Sequence, residues 1–563
     1  MAPAARARNP QAKLMAQEPS RNETIKQASR ALRGTLQEGL DEIASGAISE
    51  DDQQLVKFHG MYLQDDRDLR PERAKRKLDR AYAFMARLRI PAGLLSREQY
   101  LAMDRLADDR ANGTLRLTTR QTIQFHGIIK SNVRAALREV NAAMLNSIAA
   151  CGDINRNVMA TSNPYRSAVH RAAFETARAI SDHLLPKSRA WYEIFIDDEK
   201  VAGGEPEDEP IYGQTYLPRK FKITIAVPPD NDVDAFAHDL SFIALAEAGR
   251  LVGYTVVAGG GMGATHGDPE THPAIAQPIG YCPADQAVAV AEAVVGVQRD
   301  FGNRAVRKRA RLKYTIEDRG LDWFIAEVNR RLATPLQPAR PFHFTGNGDA
   351  TGWTSDTDGR HHLTLFVENG RIADRGDWRL KSALRTIAQT TAGDFVFTPN
   401  QNVILANLTD DEKPRVQEIL ASHGVVQGFS ILRENAMACV ALPTCGLALA
   451  ESERYLPSLI TRLERIFAEN GLADQRVTVR MTGCPNGCAR PYLAEIGFVG
   501  RNPGRYNLHL GGAADGTRLN RFYREDLDEA DLLTVLGKLI ADYAMKRGPA
   551  ESFGDFVTRT GVI

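Results

Sequence analysis

The stretch Leu117-Thr-Thr-Arg-Gln-Thr-Ile-Gln-Phe125 returns in altered form as Phe397-Thr-Pro-Asn-Gln-Asn-Val-Ile-Leu405, with Thr and Gln in register between apolar ends. A second echo follows in the same order. The strand-like run entering Gly259-Gly260-Gly261 resembles the run entering Gly511-Gly512. Echoes about 250–280 residues apart are too distant for a short-period solenoid and point to a duplicated unit.

Working outward, helical and strand-like periods alternate, which gives a mixed α+β chain. Strands are expected at 84–90, 115–127, 190–197, 221–227 and 253–258. Helices are expected at 23–40, 97–106, 170–186, 233–249, 285–299, 379–389, 411–423, 451–470 and 530–546. Residues 1–25 read as a mobile polar leader, 64–80 as a charged, solvated arm, and 203–212 as an acidic loop rich in Gly and Pro.

The chain has 563 residues, 43% of them hydrophobic, with 71 basic and 70 acidic side chains. That length implies two to four domains sharing a large core, and that composition excludes disorder, collagen and coiled coil. A net charge of +1 argues against a general polyanion binder. No apolar run approaches the roughly 18 residues of a membrane helix. The N-terminus lacks the apolar core of an export signal, so a reducing cytoplasm is expected, where thiols stay free to hold metal.

Four of the six cysteines fall late in the chain, as Cys439-x5-Cys445 and Cys484-x3-Cys488. Four thiolates complete a zinc site or an iron–sulfur cluster, and buried free thiols are the bland alternative. The second pair suits zinc spacing and the first does not. The loop Thr482-Gly-Cys-Pro-Asn-Gly-Cys-Ala-Arg490 is bent by Gly and Pro, so its backbone can wrap round a bulky centre. Cys151 and Cys282 have no partner at ligand spacing and read as structural.

Positive residues embedded in strand-like stretches give a second signal: Arg87, Arg89, Arg116, Arg120, Arg156, and Arg219, Lys220 and Lys222 in Leu-Pro-Arg-Lys-Phe-Lys-Ile. In an extended strand Lys220 and Lys222 share one side and Arg219 takes the other. Two ammonium groups at about 4 Å repel by roughly 4 kcal/mol at an effective dielectric near 20, which favours an anion between them. A solvated sheet face is the plain alternative. Seven more positive side chains between Arg299 and Lys313 suit a polycarboxylate cofactor or an acidic partner. Nothing resembles an RNA-recognition signature.

The cysteine pairs, together with Lys57-Phe-His-Gly-Met-Tyr, Arg116-Leu-Thr-Thr-Arg-Gln, Asn155-Arg-Asn-Val, Thr161-Ser-Asn-Pro-Tyr and Gly504-Arg-Tyr-Asn-Leu-His-Leu-Gly-Gly, resemble the sirohaem-dependent sulfite and nitrite reductases. The likeness spans nearly the whole chain except the first 50 or so residues and the short C-terminal end. It is nearest the assimilatory sulfite-reducing branch.

The resemblance implies a duplicated unit with pseudo-two-fold symmetry and three domains around a central sirohaem and 4Fe-4S site. An N-terminal extension would occupy 1–80. A split domain would take 81–148 with 354–424, a second 149–353, and a third, holding the cysteines, 425–563. It further implies that Cys439, Cys445, Cys484 and Cys488 bind the cluster, Cys488 also being the proximal ligand of the sirohaem iron. Arg87, Arg156, Lys220 and Lys222 would bind substrate, and Arg116, Arg120, Gln124, Arg219, Lys313 and Asn486 the sirohaem. The implied activity is six-electron reduction of sulfite to sulfide. Nitrite reduction to ammonia is the near alternative, and a non-enzymatic metal or RNA binder the distant one. Gly259-Gly-Gly-Met-Gly lacks the G-x-G-x-x-G spacing, so electrons would come from another protein, a diflavin NADPH reductase subunit or a ferredoxin. Neither nucleic acid nor membrane is expected as a partner.

Overall fold

The first echo falls on two matching hairpins: Leu115–Leu117 pairs with Ile123–Ile128, and Asp394–Phe397 with Val403–Leu408. Each turn puts a glutamine, Gln121 or Gln401, at positive φ. Gly93 and Gly370 each touch the opposite hairpin. A Cβ on Gly93 would lie 2.4 Å from Phe397 O, and one on Gly370 2.5 Å from Leu117 O. No larger residue fits either crossing.

A computed structural model describes residues 18–563, apart from 188–193, 197–198, 203–208 and 427, with backbone alone for 194–196 and 199–202. Two antiparallel sheets carry the hairpins. One runs Met61–Asp65, Tyr82–Arg87, Ile123–Ile128, Leu115–Leu117, Arg371–Ile372. Its mate runs Gly352–Ser355, His361–Leu365, Val403–Leu408, Asp394–Phe397, Leu94–Leu95. Each borrows its last edge strand from the other half, so the halves interlock.

Two mixed sheets form the second matched pair. Met159–Ala160, Ile223–Ala226 and Leu240–Glu247 run parallel, and Arg250–Ala258 and Gln277–Pro283 continue antiparallel. Ala436–Ala438, Val479–Thr482 and Ile496–Asn502 repeat that order, followed by Arg505–Leu510 and Arg521–Leu527. The second echo falls where Arg250–Ala258 and Arg505–Leu510 end, at Gly259 and Gly511, both at positive φ. Between the antiparallel halves, Asp104 is buried between Lys381 and Arg385, and Tyr100 stacks on Phe395 with centroids 4.0 Å apart. Among the described residues no helix is long and apolar enough to cross a membrane.

Several sequence expectations need correction. The run 233–249 is not a helix but a short turn, Ala235–Ala237, followed by strand Leu240–Glu247. This strand is covered on both faces for most of its length, so it lacks the alternation that marks a half-buried strand. The segment 115–127 is two strands rather than one. The expected helix at 23–40 splits into Arg21–Ala28 and Leu36–Asp41. Ser29 caps the break, donating to Lys26 O and accepting from Leu32 N. Residues 18–25 are not a free leader: Ile25 and Glu23 are buried, and Lys26 pairs with Glu23 at 2.5 Å. The charged arm also docks in part, since Arg67 donates to Ala448 O at 2.7 Å. The expected strand at 190–197 and acidic loop at 203–212 lie largely outside the described residues.

Candidate functional site

Parallel pairing of Ala436–Ala438 with Val479–Thr482 brings the two cysteine loops together, because both leave the same end of neighbouring strands. Cys439 follows the first strand, and Cys484 and Cys488 follow the second. Gly483 N donates to Cys439 Sγ at 3.4 Å, and Gly483 O accepts from Leu449 N at 2.7 Å and Ala450 N at 3.1 Å. Burial and then the neighbouring Cys488 sulfur raise Cys439, Cys445 and Cys484, Cys484 to about 12. A cationic metal centre reverses that preference, since thiolate is the ligating form. Among the described residues no three ligating side chains stand close enough for a single metal ion. Four thiols on two adjoining loops supply the donor set of a 4Fe-4S cluster.

The sequence-expected cations gather beside these loops. Burial, then Arg219, Arg156 and Arg311, push Lys220 well below the ordinary lysine range, with the Cys488 sulfur opposing. Lys222 is lowered by burial, then by Lys220, Arg120 and Arg311, and Cys488 again opposes. Both lysines therefore lie within electrostatic reach of the same sulfur. Arg219 belongs to this cluster too, rather than pointing away. Burial and Arg307 bring it down to about 10. A cavity of about 240 Å³ is lined by Arg219, Lys220, Arg307, Lys308, Arg311 and Asn486.

The other expected residues divide. Gln124 is paired across the sheet with Arg87, and its amide oxygen, turned to face the guanidinium, accepts from Arg87 Nε at 3.3 Å and Nη2 at 2.5 Å. Arg156 donates to Tyr62 OH at 3.4 Å and Gly152 O at 3.2 Å. Arg120 is buried, donates to Ile223 O at 3.0 Å and leaves Nε without a partner among the described residues; burial and Arg490 lower it to about 9. Lys313 Nζ donates to Gly263 O at 2.8 Å and Gly261 O at 3.1 Å, and burial with Arg311 lowers it to about 7. Asn486 donates to Cys484 Sγ at 3.6 Å. Arg116 differs, being matched by a carboxylate: it pairs with Glu453 at 2.8 Å and donates to Ala438 O, next to Cys439.

Sequence reasoning missed two neighbours. Cys151, expected to be purely structural, accepts from Arg87 Nη1 at 3.0 Å. Tyr62 meets Arg156, and its only signal was its place in the Lys57-Phe-His-Gly-Met-Tyr segment. Of the basic run, Arg307 and Arg311 also reach the cavity, fixed there by Asp153 and Asp239. Cys282 is buried in the core, as expected.

Among the described residues Arg87, Arg120, Arg156, Arg219, Lys220 and Lys222 form no ion pair with a carboxylate. Uncompensated charge at this depth calls for an anionic guest. Beside it stand four thiols in a duplicated fold. The chain belongs to the nitrite and sulphite reductase family. The family model for the nitrite and sulphite reductase 4Fe-4S domain matches residues 175–336, and that for the nitrite/sulfite reductase ferredoxin-like half domain matches 76–143 and 354–423. The chain is 58% identical to the haemoprotein beta-component of NADPH sulfite reductase from Methylobacterium sp. (strain 4-46), over 97% of this chain and 91% of that one. It is 55% identical to the protein of that description from Geobacillus kaustophilus, over 97% and 96%. Its fold superposes on Mycobacterium tuberculosis NirA with a TM-score of 0.78 at 25% identity, covering 96% of this chain and 97% of that one.

Proposed function

We propose that this chain is the haemoprotein component of an NADPH-dependent sulfite reductase, carrying out the six-electron reduction of sulfite to sulfide. The names of its relatives support sulfite over nitrite. The observation that carries the reading is the cavity that Lys220, without a carboxylate partner among the described residues, shares with Asn486 of the Cys484–Cys488 loop.

The donor set suits sirohaem and a 4Fe-4S cluster. Cys439, Cys445, Cys484 and Cys488 would hold the cluster, with Cys488 shared by the sirohaem iron. The uncompensated Arg120 and Arg219, with Lys313, Gln124 and Asn486, would receive the sirohaem carboxylates. Arg116, already matched by Glu453, would act mainly by tying the cysteine loop to the hairpin. Bound there, the two cofactors supply the electron-transfer chemistry.

Arg87 and Arg156 orient the oxygens of sulfite by donated hydrogen bonds and keep their protons at working pH. Lys220 and Lys222 hold protons at Nζ. Burial and like charge weaken that hold, so they release protons nearer neutrality than a free lysine does. Removing three oxygens as water needs such donors. Electrons come from a partner protein, for which we favour a flavoprotein subunit over a ferredoxin. The free thiols fit a reducing cytoplasm. The test is sulfide formation from sulfite with the purified, cofactor-loaded protein, comparing NADPH plus diflavin subunit with reduced ferredoxin. Absence of sulfide with both, and with an artificial reductant, would overturn the reading.

A further inference from the structure

The duplicated fold contains a second cavity at the place that mirrors the candidate site around Arg87, Lys220 and Cys488. On the antiparallel sheets Arg87 pairs with Gln124, and in the mate Thr364 pairs with Ile404. On the mixed sheets Met159 pairs with Thr224, and Met437 with Arg480. Two and four residues before those strand positions stand Lys222 and Lys220 in one half, Thr478 and Arg476 in the other. Asp234 and Arg490, each left-handed just before a short turn, are the next equivalent pair. Counting back two residues from them sets Asp232 against Cys488.

Thr364, Ile404, Arg476 and Asp232 line one cavity of about 440 Å³. The exchange of residues reverses its character. Arginine, glutamine and cysteine have given way to Thr364, Ile404 and Asp232, while Asp349 adds a carboxylate and Asp230 one that is paired with Arg166. The surplus of positive charge that would seat a polyanion is gone.

Two of its lining residues carry buried acceptors that want donors. Asp232 is 5% exposed and Asn347 1% exposed, and the Oδ1 of each has no partner among the described residues. Their other polar atoms are satisfied, Asp232 Oδ2 by Ser162 N at 2.8 Å and Asn347 Nδ2 by Asp234 Oδ1 at 3.2 Å. A buried acceptor left unmatched costs about 1–3 kcal/mol. Burial and Asp349 push the Asp232 carboxyl up to about 7, a penalty that a bound cation relieves. A metal ion is a poor match, because no three ligating side chains converge among the described residues. Arg476 supplies the opposite pole. It is held by Asn435 Oδ1 at 2.9 Å through Nε, and its two Nη groups have no carboxylate among the described residues.

We propose that this cavity binds a zwitterion of amino-acid size, its ammonium group received by Asp232 and Asn347 and its carboxylate by Arg476. The proposal is independent of the sulfite reading.

Calorimetric titration of the cofactor-loaded protein with each common α-amino acid in turn, and with its decarboxylated amine, tests it. At least one amino acid should bind with one-to-one stoichiometry, and its amine at least about tenfold more weakly. Asp232→Asn and Arg476→Met should each weaken binding at least about tenfold and leave sulfite turnover unchanged. If Asp232→Asn fails to fold, Arg476→Met alone decides. No binding up to about 10 mM, an amine that binds as tightly as its amino acid, or binding indifferent to the substitutions would each overturn the proposal.

Discussion

Asp234 and Arg490 hold the same place in the two halves of the fold and are joined to each other by a buried ion pair. Arg480 shares the carboxylate, its Nη1 lying 2.6 Å from Asp234 Oδ2. The pair therefore locks the pseudo-two-fold relation directly beneath the cysteine loop, for Arg490 lies two residues past Cys488. Asp234 stays below the ordinary carboxylate range: burial alone would raise it, and Arg480 and Arg490 more than offset that.

Asp234→Asn leaves two buried guanidinium groups without their anion. A loss of about 3–5 kcal/mol in unfolding free energy is expected. Denaturant unfolding at neutral pH measures it, and a change below about 1 kcal/mol would deny the pair its structural role.

Cys488→Ser should bleach the visible spectrum of both cofactors, because in the proposed site one sulfur would serve both the cluster and the sirohaem iron. Cys282→Ala, in the core far from the other thiols in sequence, should leave that spectrum alone. A wild-type spectrum with sulfite turnover in purified Cys488→Ser contradicts the bridging assignment.

Cys151→Val removes the sulfur that accepts from Arg87 and keeps an apolar side chain of similar size. Arg87 retains Gln124 but loses half of its anchoring. A fall of about tenfold in kcat/KM for sulfite is expected at unchanged cofactor content. Cys151→Ser, which restores an acceptor, should recover most of it. Equal loss in both variants would point to packing instead.

The buried His170 ring titrates near 4, mainly through burial and secondarily through Arg166. The folded value lies below the ordinary one near 6.5, so the unfolded chain binds the proton first as pH falls. Its contribution is whole above about 6.5 and is lost on the way down through about 4. Between pH 7 and 5 the loss is about 2 kcal/mol. His170→Gln should flatten that part of the stability profile, and unfolding free energies at the two pH values test it.

The parts of this molecule legible in sequence were those written in local chemistry. The Thr and Gln shared by 118–121 and 398–401 mark turns with the same backbone need, so the duplication showed through. The two close cysteine pairs pointed to one site, and parallel pairing of Ala436–Ala438 with Val479–Thr482 brings their loops together. What stayed hidden depended on distant partners. Nothing near Arg116 announces Glu453, and Cys151 gains its meaning only from Arg87 across the fold. Strand Leu240–Glu247 was misread because burial on both faces erases the alternation by which strands are recognised. The mirrored cavity was invisible because Asp232 and Arg476, far apart in sequence, come to line one cavity only in the folded chain.

The central claim is that the unpaired positive cluster around Lys220 and Lys222 reads a dianion. Sulfite near neutral pH is divided between monoanion and dianion, whereas nitrite carries only a single charge. The most direct measurement is the ratio of kcat/KM for sulfite to that for nitrite, with one artificial reductant, before and after Lys222→Asn. Sulfite turnover should fall by about 10- to 1,000-fold and nitrite turnover by clearly less, so the ratio drops. An equal fall in both at full cofactor occupancy would contradict the account.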